Sequence, residues 1–396
     1  MHVALLMNFV APYRVPLLEA LRDRVGRLRV LISVPMEKDR SWVPEWRTLD
    51  VRVQRNVSLH RPYNDQTGFT RKLEIHIPYD TLPQLVRLHP DAVISGELGM
   101  RSVQAALYRT IRPGMPFLIW ATLSEHSERG WGPVRRAIRR FILQRADGVL
   151  VNGESGARYI ATFGVPDSRI FRVNQPVDVD RFAQEPRKRS EQDRTRLLFS
   201  GMLTPRKGLM PFAEALAAWC RTNPARTLEM WWLGGGELRA PLEAIGLPPN
   251  LSFRFLGERP YDALPEVYAQ VDMLAFPTLL DEWGLVVNEA MASGLPVLGS
   301  IYSQAVEELV REGETGWLFD PLDPATMAAA LERALGTPPD ALPAMRNAAR
   351  RAAVGLNPAN ASNIMADALR SVAHALRRGG AVAENDGAPQ PDGGAA

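Results

Sequence analysis

The stretch VDMLAFPTLLDEWGLVVNEAMASGLPVLGS, residues 271–300, decides the fold. Its two ends, VDMLAFP and LPVLGS, are short continuous apolar runs, the pattern of strands buried on both faces. A helix-forming segment separates them, and a strand, a helix and a second strand in so short a length make a crossover between parallel neighbours. Gly284 breaks any helix through the middle, which leaves Asp281 and Glu282 in a loop. A short helix is then expected over Val287 to Ser293, with Glu289 in its first turn. Three carboxylates thus crowd one glycine in an otherwise apolar segment.

The same alternation extends outward in both directions. RLLFSGM, LEMWWLG and LSFRFLG precede the stretch as further strands, and before a polar linker AQEPRKRSEQDRT (183–195) come HVALLMNF, LRVLISV, DAVISG, PFLIWAT and DGVLVNG. The expectation is an α/β protein of two doubly wound Rossmann-like domains, 1–182 and 196–356, facing across a cleft. A length of 396 residues suits two domains. Two closing helices are expected over roughly 339–354 and 357–378, with Asn357 as cap and Pro358 at the first helical position. From Gly379 the tail is small and polar and is expected to be disordered.

Hydrophobic content of 46% and charged content of 23% are ordinary for a globular protein. The single cysteine, Cys220, has no disulfide partner within the chain and reads as a buried structural thiol. No run reaches the ~18 to 20 apolar residues that span a bilayer, and the opening MHVALLMNF has no basic leader. A cytoplasmic protein is expected, at most peripheral at a membrane. The net charge of +3 hides an asymmetry: residues 1–190 hold 30 Lys/Arg against 19 Asp/Glu, and the remainder 17 against 25. A basic amino-terminal half suits anionic lipid, a phosphorylated acceptor or nucleic acid, and charge alone does not choose among them. Without a recognised module or an aromatic platform, nucleic acid ranks last.

Ligands of doubly wound sheets bind at the carboxyl ends of the strands, so the loops there are where chemistry is expected. Arg206 and Lys207 stand in such a loop, before Gly208 and a helix beginning near Met210. In isolation such charges are usually solvated, but two cations beside a helix start suit a diphosphate.

Taken together, FSGMLTPRKGL, DEWGLVVNEAMASGLPVLGS and VEELVREGETGWLFDPLDPATMAAAL resemble the retaining GT-B-fold glycosyltransferases of glycosyltransferase family 4, the group 1 glycosyl transferases. The family signature is Glu, seven residues, Glu; here Asp281 holds the first position and Glu289 the second. The resemblance implies that Glu289 binds the ribose of a nucleotide-sugar, that Asp281 or its neighbour Glu282 holds the donor sugar, and that Arg206 and Lys207 bind the diphosphate. It implies further that the amides of Gly284, Leu285 and Val286 complete the phosphate site, that the loops at Gly201 and Gly257 border the nucleotide, and that the last helix packs back on the amino-terminal domain. Asn8, Tyr13 and Arg14 are expected to face the cleft on the acceptor side, unless they serve only helix entry with Pro16. His126 is a catalytic candidate at the sugar or the leaving oxygen, with Glu125 a weaker neighbour. VRRAIRRFILQRA is expected to pack Val134, Ile138, Phe141 and Ile142 on the sheet, its arginines free to touch anionic lipid. DVD at 178–180 is expected to be structural, GGGELR at 234–239 lacks the third glycine of a dinucleotide loop, and neither a metal nor another cofactor is implied.

The function so implied is a retaining, metal-independent transfer of a sugar from a nucleotide diphosphate donor to a glycan, lipid-linked or small-molecule acceptor in cell-envelope or exopolysaccharide synthesis. A nucleotide-sugar epimerase and a non-catalytic nucleotide-sugar binder are the alternatives.

Overall fold

The computed structural model describes residues 1–37, 45–64, 70–129, 132–184 and 194–385. In the amino-terminal domain seven strands form one parallel sheet: β1 (His2–Met7), β2 (Arg27–Ile32), β3 (Asp50–Val53), β6 (Ala92–Gly96), β7 (Phe117–Ala121), β8 (Gly148–Val151) and β9 (Ile170–Arg172). Their order is β3-β2-β1-β6-β7-β8-β9. Between β3 and β6 the chain makes an antiparallel hairpin of β4 (Asn56–Asn64) and β5 (Thr70–Pro78), which forms its own two-stranded sheet and which the apolar pattern did not announce. In the carboxyl-terminal domain six parallel strands follow: β10 (Thr195–Ser200), β11 (Leu228–Leu233), β12 (Leu251–Gly257), β13 (Met273–Phe276), β14 (Val297–Ser300) and β15 (Gly316–Phe319), in the order β12-β11-β10-β13-β14-β15. The stretch 271–300 is the crossover from β13 to β14.

The continuous apolar strands are buried on both faces, as a parallel sheet under two helical layers requires: Val3 to Leu6, Phe117 to Ile119 and Leu274 to Phe276 are fully covered. Each sheet reverses direction of winding once. In the first the reversal lies between β1 and β6, in the second between β10 and β13. The loops that leave those four strands are where ligands bind in such folds.

The helix Pro358–Asn385 crosses back to the amino-terminal domain, where Met365, Ala366, Leu369 and Val372 join the core of Val3, Leu17, Leu18 and Leu21. Asn357 caps it, its Oδ1 accepting from the Asn360 N–H at 2.9 Å. The helix continues through residues 379–385, where the composition suggested disorder; once its earlier turns are docked, each added residue gains a hydrogen bond without a new nucleation cost. Residues 386–396 and most of the linker, 185–193, lie outside the described residues. Among the described residues no helix is long and apolar enough to cross a membrane.

Two other expectations are corrected. In the helix Pro133–Leu143, Ile142 and Leu143 are buried, but Val134 is 72% exposed, because the first turn borders the cleft. Arg139 on the same helix is only 3% exposed and forms an ion pair with Glu128. Cys220 is buried and its thiol is pushed up to about 11 by that burial, as an inert core thiol should be.

Candidate active site

Arg206 and Lys207 end the turn Pro205–Lys207 that follows β10. Gly208 comes next with φ of 64°, and a Cβ there would lie 2.2 Å from the Pro277 carbonyl oxygen. Only glycine lets the loops after β10 and β13 touch. That contact brings Lys207 to Asp281, Nζ to Oδ2 at 2.5 Å, with the ammonium also 5.1 Å from the Phe276 ring centroid. Arg206 donates from Nη1 to the Leu280 carbonyl at 2.8 Å and stands 4.0 Å from Asp281. Burial acts to raise the Asp281 carboxyl, but Lys207 and Arg206 outweigh it and hold it below its ordinary value. Burial lowers Lys207 against the pull of Asp281. The ionised pair is the state these opposing effects support.

Gly284 has φ of 105°, and a Cβ there would meet Phe276 Cε1 and Ser303 Oγ, each at 2.8 Å. Because this glycine is itself the cap, the helix starts directly after it and runs Leu285–Ala292, two residues earlier than the sequence suggested. Glu289 therefore sits in the second turn, beyond the helix-start dipole, and is held differently: the Tyr268 hydroxyl donates to its Oε2 at 2.9 Å. Burial pushes its carboxyl up to about 7, with the Tyr268 bond opposing.

On the facing domain, Arg14 stands 5.0 Å over the Trp120 ring, and Asn8 accepts through Oδ1 from Arg101 Nη2. Pro16 is the second residue of the helix Val15–Val25 rather than the first. Asn8, Tyr13 and Arg14 from this side, and Gly201, Arg206, Lys207, Asp281 and Glu289 from the other, line one cleft of about 2020 Å³. Glu282, Gly284, Leu285 and Val286 line it as well, whereas Gly257 does not and its successor Glu258 does. His126 does not line it either; it packs edge-on against Tyr302 with ring centroids 4.9 Å apart, because its loop turns it toward the domain seam. Burial lowers its pKa.

The seam holds the two walls in register. Gln304 donates from Nε2 to the Leu123 and Glu282 carbonyls and accepts the Gly156 N–H, while Asn288 donates to the Gln175 carbonyl at 2.6 Å. Asp178 of the DVD stretch caps the helix Val179–Phe182, a structural role, although it also borders the cleft. Two charged residues of the amino-terminal wall, half-buried Glu97 and buried Arg101, escaped the sequence reading. Both follow the strand DAVISG, so the rule that chemistry gathers after strands would have found them.

Comparison with known proteins finds a family match over part of the chain. Residues 194–337 match the glycosyl transferases group 1 family. D-inositol 3-phosphate glycosyltransferase of Corynebacterium efficiens is 30% identical over 210 residues, 49% of this chain and 49% of that protein. GDP-mannose-dependent alpha-(1-6)-phosphatidylinositol monomannoside mannosyltransferase of Mycolicibacterium smegmatis is 30% identical over 230 residues, 53% of this chain and 59% of that protein. The chain thus spans about half the length of the curated relatives it matches. Among solved structures, Anabaena HepE in complex with UDP superposes with a TM-score of 0.70 at 18% identity, covering 94% of this chain and all of that one. The lipopolysaccharide outer core galactosyltransferase WaaB gives 0.70 at 15% identity over 94% of this chain and 99% of that one. The shared architecture is the GT-B fold.

Proposed function

With a group 1 glycosyl transferase domain at its carboxyl-terminal end and a GT-B frame, the chain is one for which we propose transfer of a sugar from a nucleotide diphosphate donor. One observation carries the reading: Arg206, Lys207, Asp281 and the amides after Gly284 converge where the second sheet reverses, on the cleft wall. Two cations and a helix start supply positive potential for a departing diphosphate, and the adjacent carboxylate suits a sugar hydroxyl. Lys207 must exchange part of its bond to Asp281 for phosphate oxygen, which leaves Asp281 an open acceptor. Glu289 keeps one oxygen on Tyr268 and offers the other to ribose hydroxyls.

The transfer is read as retaining, since the protein offers orientation and charge stabilisation rather than a nucleophile close to the sugar site. It is read as metal-independent, because Arg206 and Lys207 do the neutralising work that a divalent ion would do. HepE was solved with UDP and the M. smegmatis relative is named for GDP-mannose, so uridine and guanosine donors head the candidates. The inositol-based acceptors of the relatives favour a polyol or lipid-linked acceptor in envelope or exopolysaccharide synthesis.

The test is a thermal-shift panel of nucleoside diphosphates and nucleotide-sugars, followed by nucleotide release with the donor that binds. Binding, release that needs an acceptor, unchanged rate in EDTA and an anomeric centre of unchanged configuration are expected. A donor that binds and is never cleaved would support a non-catalytic binder, and one epimerised without acceptor would support the epimerase reading.

A further inference from the structure

The two sheets reverse at equivalent places, and the second reversal supplies the donor wall. The first reversal, between β1 and β6, is built from loops 8–14 and 97–101 and faces it across the cleft. Its most unusual residue is Glu97, directly after β6. The backbone of Glu97 is left-handed, φ 67°, a conformation that strains a residue with a side chain. Three contacts hold it there. Its N–H donates to the Trp120 carbonyl at 3.0 Å, its carbonyl accepts from Ser102 Oγ at 2.5 Å, and Thr122 Oγ1 donates to its Oε1 at 2.5 Å. A glycine would adopt this backbone without strain, so the fold alone does not ask for a carboxylate here.

Beside it lies Arg101, in the first turn of the helix Met100–Ile111 and only 4% exposed. Its Nη2 is spent on Asn8, but its Nη1 is buried and has no partner among the described residues. A buried guanidinium nitrogen without a partner is costly, and here it belongs to a residue lining the cleft. Burial raises the Glu97 carboxyl; Arg14 and Arg101 oppose this, and Glu282, from the donor wall, adds to it. Glu282, like Glu97, lines the cleft. A carboxylate on the wall accepts from a hydroxyl but repels an anionic group.

The geometry points to Glu97 and Arg101 as the acceptor subsite, gripping two neighbouring hydroxyls of a neutral sugar or polyol ring. Glu97 accepts from the hydroxyl that attacks and Arg101 Nη1 donates to its neighbour. A carboxylate beside a guanidinium pairs with a vicinal diol because one accepts and the other only donates. This assignment rests on the transferase reading and deepens it. In the transfer the hydroxyl oxygen forms the new bond to the anomeric carbon, the bond to the diphosphate breaks, and the proton leaves with the diphosphate. Glu97 aligns the hydroxyl and is unchanged at the end.

The experiment uses the full chain saturated with the nucleoside diphosphate it binds. Saturation-transfer NMR reads binding of myo-inositol, methyl α-mannopyranoside and methyl α-glucopyranoside, together with monodeoxy analogues of whichever binds. Wild type should bind at least one ring and reject the analogue lacking either of two adjacent hydroxyls. Glu97→Gln and Glu97→Gly should lose that signal and lower transfer kcat/KM by ~100-fold, and Arg101→Lys by ~10-fold, with nucleotide affinity within about twofold of wild type. The glycine variant, suited to the left-handed backbone, should melt no lower than wild type. No bound ring in wild type, an unchanged signal in the Glu97 variants, or a parallel loss of nucleotide affinity would overturn the assignment. Failure of the transferase reading shows separately, as wild-type protein that never cleaves its donor.

Discussion

At the scale of the residue, Glu289 is the most informative position. Burial raises its pKa from an ordinary 4.5 to about 7, so the folded protein without nucleotide favours the protonated form only below about pH 7. Stability from this group is complete below about pH 4.5 and is lost as pH climbs through about 7. Glu289→Gln, which is always neutral, is expected to raise the melting temperature of the nucleotide-free protein at pH 8 and to leave it unchanged near pH 4.5; thermal denaturation across pH reads the difference. The same substitution should weaken nucleoside diphosphate binding at pH 8 by about tenfold, roughly 1.4 kcal/mol, because the ionised carboxylate is the better acceptor for ribose. Calorimetric titration reads that second effect. Asp281, Glu289, Arg206 and Lys207 were legible as a group because their spacing repeats a family pattern. Glu97 and Arg101 were not, since a lone Glu and a lone Arg in SGELGMRS carry no periodic or spacing signal, and their place on the cleft wall is decided by how β1, β6 and β7 pair side by side. The burial of His126 against Tyr302 is likewise set by a contact with the other domain.

At the scale of the element, the crossover from β13 to β14 shows what one glycine does. Gly284 has to turn the chain left-handed where Phe276 and Ser303 leave no room for a Cβ. Gly284→Ala combines backbone strain with a clash, and is expected to cost about 2 to 4 kcal/mol and to weaken nucleotide binding by displacing the helix Leu285–Ala292. Urea denaturation and calorimetry measure the two losses; a variant as stable as wild type would mean that the helix start tolerates the shift. The strands were legible because they are buried on both faces and read as apolar runs. The hairpin of β4 and β5 was not, since only one face meets protein: Val57 and Leu59 are exposed while His76 is buried. Helix ends moved by a residue or two, as at Leu285, because a glycine cap ends or begins a helix by its own φ and not by the apolar period.

At the scale of the whole molecule, the amino-terminal domain is completed by the chain's last helix. Leu369 is fully buried against helix Val15–Val25 and the sheet beneath it. Leu369→Ala is expected to destabilise by about 2 to 5 kcal/mol. The loss should fall on the amino-terminal domain, so calorimetry should show its transition lowered while nucleotide affinity, set by the other domain, is kept. The polypeptide passes between the domains twice, once from β9 to β10 and once from Ala353 into the helix at Pro358, and the Val177 N–H donates to the Leu356 carbonyl at 2.9 Å where the passages run side by side. A joint of two adjoining segments bends readily about the line between them, while twisting it would shear one segment past the other. The cleft is therefore expected to open and shut mainly through one angle. Whatever bridges the walls would set that angle for everything else in the cleft, and a bound donor and a bound acceptor are then expected to bias each other's affinity without touching.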